Sequence, residues 1–142
     1  STATANTGST ANTGSTDDLT IFEALNYIAS HDDLILAFGN DSTAGANHYK
    51  EFGQKEGRAL DDFDEWGYLA SNNDLLNVFG SDTTAAVNHY ISYGMSEGRS
   101  TSGFNATNYL NRYEDLSNRF GNDTLSATWH YVEFGYSEGL LA

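Results

Sequence analysis

Residues 48–58 read HYKEFGQKEGR, and nearly the same phrase returns as HYISYGMSEGR at 89–99 and as HYVEFGYSEGL at 130–140. Successive phrases start 41 residues apart, and the aromatic, acidic and glycine residues around them keep that spacing. A fixed period of this length is typical of tandem structural repeats. We therefore expect three copies of one backbone, at residues 22–62, 63–103 and 104–142, in a repeat domain covering 17–142.

The first helix of each copy is predicted from a capping residue. Glu23 stands where the other copies have Asp64 and Asn105, which are good N-cap types. With the cap there, Phe22 and Tyr27 have the spacing of a hydrophobic staple. A break is expected at residues 30–31, and the same break at 71–72 in the second copy.

Two more helices are predicted in each copy. Leu34 and Phe38 lie four residues apart on one face of the second helix, which Gly39 would end in a left-handed conformation. Asp41 or Ser42 would cap the third helix, which is expected to run to Gly53. This third helix should bury a stripe that contains Gly45, His48, Tyr49 and Phe52, with a close helix contact at the small residue.

The predicted fold class is all-α. No alternating, β-branched run of strand length competes with the helical pattern. We expect three tandem helical repeats of about 41 residues, each with three short helices, packed together in one domain.

Composition excludes several classes of function. The 142 residues are 39% hydrophobic, which is enough for a core, and they include no cysteine, so disulfides and thiolate chemistry are absent. The net charge of −14 argues against nucleic acid and against adhesion to an anionic membrane. No apolar run reaches the length of a membrane span.

Residues 1–16 are predicted to be a flexible linker. They contain the hexad ANTGST twice and are rich in Ser, Thr, Gly and Asn, which cannot bury apolar area. A linker of this kind implies that the repeats are one module of a longer protein. No signal peptide precedes it, so any export signal was removed or lies elsewhere.

The repeated polar residues are interpreted as structural. Three histidines at one spacing could share a metal only in a closed ring, so each is expected to be buried and hydrogen-bonded to a carbonyl or carboxylate. His31 is not repeated and is expected to be exposed. The positions assigned to this structural set are His48, His89, His130, Glu56, Glu97, Glu138, Arg58 and Arg99.

Arg58 and Glu56 are expected to tie neighbouring copies together, with Asp33 as a partner for the arginine. Leu140 replaces the arginine in the last copy, which would have no successor to bind. Loops such as 39–42 resemble fragments of calcium loops, so calcium is an alternative to a simple helix cap there. No nucleophile motif or phosphate loop is present, and we predict no catalytic site and no metal site.

The aromatic residues that do not repeat are the predicted ligand-binding residues. Trp66 stands where the other copies have Leu25 and Thr107, and Trp129 stands where they have asparagine. Scaffold positions do not accept such different side chains equally. The predicted sugar-stacking set is Trp66, Trp129, Tyr113 and Tyr136.

The pattern H-Y-x-x-[FY]-G-x-x-E-G-R, with Y-[IL]-A-S-x-x-D-L and F-G-x-D upstream, resembles a tandem repeat of large exported bacterial proteins. In that group the upstream element reads Tyr-Leu-Ala-x-Asn-Pro-Asp-Leu, which residues 72–75 (NNDL) match without the proline. The resemblance covers residues 22–140, although residues 111–114 (NRYE) depart from it. The repeat occurs in RTX-like proteins, beside hemolysin-type calcium-binding segments, and in surface-layer-like, adhesin-like and polysaccharide-related proteins.

The resemblance implies a non-catalytic accessory module rather than an enzyme. We expect a secreted or cell-surface module that binds polysaccharide or a cell-surface glycan on behalf of a larger parent protein. The alternative is a structural or surface-layer assembly repeat, with calcium assisting. The two differ in whether the partner is a sugar or another protein.

Overall fold

The computed structural model describes residues 18–142, so the predicted linker at 1–16 lies outside the described residues. The described chain is all-helical, and no β-strand forms within it. The α-helices in chain order are α1 (Ile21–Ala29), α2 (Asp32–Phe38), α3 (Ser42–His48), α4 (Glu65–Ser71), α5 (Asn73–Phe79), α6 (Thr83–His89), α7 (Met95–Glu97), α8 (Ala106–Arg112), α9 (Glu114–Phe120) and α10 (Thr124–His130). Three π-helical segments follow α3, α6 and α10, namely π1 (Tyr49–Gly53), π2 (Tyr90–Gly94) and π3 (Tyr131–Gly135).

The helices form two compact units. Unit 1 contains the described residues up to Phe63 together with Val87–Glu97, and unit 2 contains Asp64–Ala86 together with Gly98–Ala142. In unit 1, α1 packs on α3 and contacts π2, and in unit 2, α10 packs on α8 and α4. Each unit therefore combines the helices of one copy with part of the second copy.

Helix α1 starts earlier than predicted. Its N-cap is Thr20, whose hydroxyl accepts a hydrogen bond from the Glu23 N–H at 3.0 Å. The Glu23 carboxylate in turn accepts from the Thr20 N–H at 2.9 Å, which completes a capping box. Because this reciprocal pair satisfies two backbone donors, Phe22 lies inside the helix rather than before it, and the predicted cap at Glu23 was wrong.

The caps predicted for the other copies are confirmed. Asp64 accepts from the Gly67 N–H at 2.9 Å, and Asn105 accepts from the Asn108 N–H at 2.9 Å. The ring of Phe104, just before its cap, lies 5.6 Å from that of Tyr109, as the staple spacing predicts.

Glycine and aspartate separate the second and third helices. Gly39 has a positive φ of 56°, as expected, but its ψ of −135° is extended rather than left-handed helical. The third helices are capped by Asp41, Asp82 and Asp123, each of which accepts a backbone N–H at 3.1 Å. These aspartates have the N-cap role predicted for the first of them.

The close approach predicted at the start of the buried stripe is confirmed. A Cβ atom on Gly45 would lie 2.7 Å from Ile28 Cδ1, so the absence of a side chain lets α3 approach α1. The same position holds the buried residues Ala86 and Ala127 in the other copies. Small side chains here set the distance between the helices.

The third helix does not stay α-helical to its end. The Gln54 N–H donates to the Tyr49 carbonyl at 2.9 Å, and the Tyr136 N–H donates to the Tyr131 carbonyl at 2.9 Å. These i→i+5 bonds put more residues in each turn than an α-helix has, so the following side chains rotate around the axis. As a result Gly53 is buried while Phe52 is 53% exposed, and its predicted place in the buried stripe was wrong.

Candidate functional site

The repeated phrase supplies a histidine and a glycine that both pack against the hydroxyl of a tyrosine earlier in the same copy. We call this arrangement of tyrosine, histidine and glycine the interlock. The Tyr27 hydroxyl on α1 is hydrogen-bonded to His48 Nδ1 at 2.9 Å. A Cβ atom on Gly53 would overlap that same hydroxyl, so only glycine fits at the end of π1. The π-helical turn brings this glycine under the tyrosine, and the histidine satisfies the polar atom that the packing encloses.

The third copy repeats the interlock. The Tyr109 hydroxyl is hydrogen-bonded to His130 Nδ1 at 2.8 Å, and it occupies the space that a Cβ on Gly135 would need. Burial raises the pKa of the Tyr109 phenol above its usual value. The phenol therefore remains a neutral hydrogen-bonding group throughout the physiological pH range.

The predicted histidine environment is only partly correct. His130 is buried, at 7% exposure, whereas His48 and His89 are half-buried. The partner of His48 and of His130 is a tyrosine hydroxyl rather than a carbonyl or carboxylate. His31 is half-buried and not exposed, because its Nε2 is hydrogen-bonded to the Ala59 carbonyl at 2.8 Å and its ring contacts Tyr27.

The repeated arginine closes its own copy instead of joining neighbours. Arg58 donates two hydrogen bonds to the Asp33 carboxylate at 3.0 and 2.9 Å, and a third to Glu56 at 2.9 Å. Arg99 makes the same bidentate pair with Asp74, both bonds at 2.9 Å. The partner predicted for Arg58 is confirmed, but the predicted tie between copies is wrong, since both residues of each pair lie in one copy.

The two arginine–aspartate pairs lower the pKa values of their carboxyl groups. The Arg58 hydrogen bonds lower the pKa of the Asp33 carboxyl, and Arg99 lowers the pKa of Asp74 in the same way. Leu140 replaces the arginine in the third copy, where Arg112 instead donates to the Ala142 carbonyl at 3.2 Å.

No group of three His, Asp or Glu side chains suited to a metal ion occurs in residues 18–142.

The four predicted ligand-binding aromatics have different surroundings. All are half-buried, and none contacts another of the four through its ring in the part of the chain that is described. The Tyr113 hydroxyl accepts from the Leu141 N–H at 2.7 Å, and the Tyr136 hydroxyl donates to Asn77 at 2.8 Å. Tyr113 and Tyr136 thus make internal contacts, Trp129 packs edge-on against Phe134 at 5.5 Å, and Trp66 lies on α4.

A different aromatic set is exposed, and it repeats. Phe52, Tyr93 and Phe134 occupy one position in the three copies and are 53%, 58% and 42% exposed. Each ring is supported by the histidine of its copy, with centroid separations of 5.5, 5.4 and 5.6 Å. We call these three residues the aromatic row, a name that refers to their recurrence at one position of the sequence repeat. Sequence reasoning missed it, because α-helical spacing places the row in the buried stripe.

Unit 2 also contains an open groove of about 500 Å³. Its walls come from the start of α4, the segment before α8 and the first turns of α10. The lining residues are Asp64, Gly67, Thr101, Ser102, Gly103, Phe104, Asn105, Ala106, Thr107, Thr124, Leu125 and Thr128. This groove is a second candidate site, and the sequence analysis did not single out its threonines.

No protein-family model, curated protein or solved structure matches this chain. Within residues 18–142, none of the helices has the length and apolar character needed to cross a bilayer.

Proposed function

We propose that the chain is a non-catalytic module that binds polysaccharide, and that it consists of three tandem helical repeats. The observation that carries the proposal is the aromatic row, in which every copy exposes one ring at the same position. Aromatic rings stack on the apolar faces of sugar rings, so repeated rings suit a repeated polymer. The localisation that follows is secreted or at the cell surface, as part of a larger exported protein.

The way each ring is held supports this role. The His48 ring contacts the rings of both Phe52 and Phe38, with centroid separations of 5.5 and 5.7 Å. Its Nδ1 is fixed by the Tyr27 hydroxyl, and Tyr27 is itself fully buried. An exposed ring that is braced in this way loses little side-chain entropy on binding, which favours affinity.

Residues at the outer positions support the repeat organisation. Ile91 and Val132 are both 6% exposed, whereas Lys50 stands at the same position in the first copy with 53% of its side chain exposed. Similarly, Ala29 and Ala70 are buried, whereas Asn111 is exposed in the third copy. A polar side chain where other copies bury an apolar one is typical of a terminal repeat.

Retention on insoluble polysaccharides tests the proposal. We expect the wild-type chain to be retained. The triple variant Phe52→Ala, Tyr93→Ala, Phe134→Ala should bind the polysaccharide with about tenfold lower affinity, because three stacking contacts are lost. A matched control replaces three exposed aliphatic residues by alanine, namely Leu36, Val78 and Leu141. Equal retention of the aromatic variant and the control would contradict the proposal.

The assembly alternative makes a different prediction. A surface-layer role requires self-association or docking to protein, which light scattering with and without calcium would detect. The polar character of Lys50 and Asn111 disfavours growth by stacking copies end to end. A monodisperse chain at all concentrations, retained on polysaccharide, would separate the two functions in favour of sugar binding.

A further inference from the structure

Three threonines in the groove of unit 2 replace apolar residues found elsewhere in the chain. Thr101, Thr107 and Thr128 all line the groove. The residues 41 positions earlier are Leu60, Trp66 and Val87. Because the scaffold accepts large apolar side chains at these positions, the groove and its hydroxyls occur at one place in the chain rather than in every copy of the repeat.

A glycine lets the wall of the groove approach α4. A Cβ atom on Gly67 would lie 2.5 Å from the Thr101 carbonyl oxygen, so a side chain here would push the segment before α8 away. The preceding copy has Asn26 at this position. The glycine and the three threonines thus occur together, and both shape the same surface.

The groove presents hydroxyl groups that the protein itself does not use. Thr128 donates to the Thr124 carbonyl at 2.8 Å, but the hydroxyls of Thr101, Thr107 and Thr124 make no hydrogen bond within the described residues. Each hydroxyl can donate one hydrogen bond and accept others. Such a lining matches a ligand that is itself rich in hydroxyl groups.

Two apolar side chains lie among these hydroxyls. Leu125 is 81% exposed on α10, and the Phe104 ring is stacked on Tyr131 at 4.7 Å. Asp64 is the lining residue with a charge, and its carboxylate would accept from ligand hydroxyls but repel an anionic ligand. The volume of about 500 Å³ falls in the usual range for small-ligand sites.

We propose that this groove binds an uncharged sugar residue of a glycan, with hydrogen bonds to the threonine hydroxyls and apolar contact to Leu125. The inference deepens the proposed function and rests on it, since it names the sugar class and adds a site separate from the aromatic row. In this proposal the groove determines which sugar is bound, because its threonines form hydrogen bonds with particular sugar hydroxyl groups. The aromatic row, in contrast, can stack on the apolar face of any pyranose.

Calorimetric titration with a neutral β-linked glucose hexasaccharide tests the proposal, with an oligouronate of equal length as the charged comparison. The main variant fills the groove with the residue types found 41 positions earlier in the chain, through Thr101→Leu, Thr107→Trp and Thr128→Val. We expect affinity for the neutral sugar to fall by tenfold or more, and the oligouronate not to bind wild type. Thr84→Leu, an exposed position on α6 equivalent to Leu125, controls for added apolar bulk.

A milder variant guards against a folding defect. Thr107→Val removes one hydroxyl at nearly constant volume, and we expect about threefold weaker binding with unchanged circular dichroism. Wild-type affinity in both groove variants would overturn the proposal, as would tighter binding of the oligouronate. If retention on polysaccharide depends on the aromatic row but not on the groove, only the proposal for the groove is overturned. If the wild-type chain is not retained at all, the proposed function is overturned as well.

Discussion

At the scale of single residues, the glycines that end π1 and π3 are each explained by the tyrosine packed against them. Gly53 and Gly135 lie beneath the hydroxyls of Tyr27 and Tyr109, where no side chain fits. The adjacent histidine completes the arrangement by hydrogen-bonding the enclosed hydroxyl. In these two copies the repetition of the residue types therefore reflects a packing requirement.

Substituting Gly53 by alanine should be costly. We expect Gly53→Ala to lower the free energy of unfolding by about 1–3 kcal/mol, because the new methyl group must displace the Tyr27 hydroxyl. Urea denaturation gives this quantity directly. Gly103→Ala is the control, since a Cβ there would lie 3.4 Å or more from its neighbours, and an equal loss in both variants would show that the hydroxyl contact is not responsible.

At the scale of helices, the turns and most caps could be predicted because their signals are local. Gly39, Asp64 and Asn105 act through bonds to residues only a few positions away. The π-helical turns could not be predicted, because they depend on a residue that is distant in sequence. Tyr27, which lies 26 residues before Gly53, occupies the space that a side chain at this glycine would need. That single change of helix type moved Phe52 from the predicted core to the exposed aromatic row.

The candidate sites also depend on contacts between residues that are distant in sequence. Absence from the repeat pattern marks Trp66, Trp129, Tyr113 and Tyr136 as ligand-binding candidates, but it does not reveal that the two tyrosines make internal hydrogen bonds. The groove brings Thr101 of the second copy beside Thr107 and Thr128 of the third, and that is a tertiary property. A comparison of equivalent positions could have found it, since apolar residues give way to threonine at three of them.

The ion pair between α2 and the segment after π1 predicts how stability depends on acidity. Arg58 holds the pKa of Asp33 below its unfolded value of about 3.9, so the pair stabilises the fold above that pH. This contribution is lost as pH falls through the lowered native pKa. We expect the urea midpoint of wild type to fall more steeply below about pH 4 than that of Asp33→Asn.

The exposed Asp61→Asn substitution is the matched control for that measurement, because the Asp61 carboxylate makes no ion pair within the described residues. It should retain the wild-type pH dependence. An identical curve for Asp33→Asn and wild type would mean that the Arg58 pair adds nothing to stability in the folded chain.

At the scale of the whole molecule, the excess of negative charge is the dominant electrostatic feature. A net charge of −14 on 142 residues causes repulsion that salt screens. We expect the melting temperature to rise between about 0.01 and 0.3 M NaCl, as measured by calorimetry. A fall would indicate that the Arg58 and Arg99 pairs outweigh the repulsion, and a larger rise in CaCl₂ of equal ionic strength would point to bound calcium.

Lys50 has a consequence for anyone who wishes to lengthen this scaffold. An ammonium group stands where the second and third copies place Ile91 and Val132, so a unit added ahead of the first would have to bury a charge. Under the proposed repeat organisation, extra modules should therefore be inserted in the middle of the series, at the 41-residue period, next to the copies that have Ile91 and Val132 at this position. Extension at the front would first require exchanging the lysine for isoleucine.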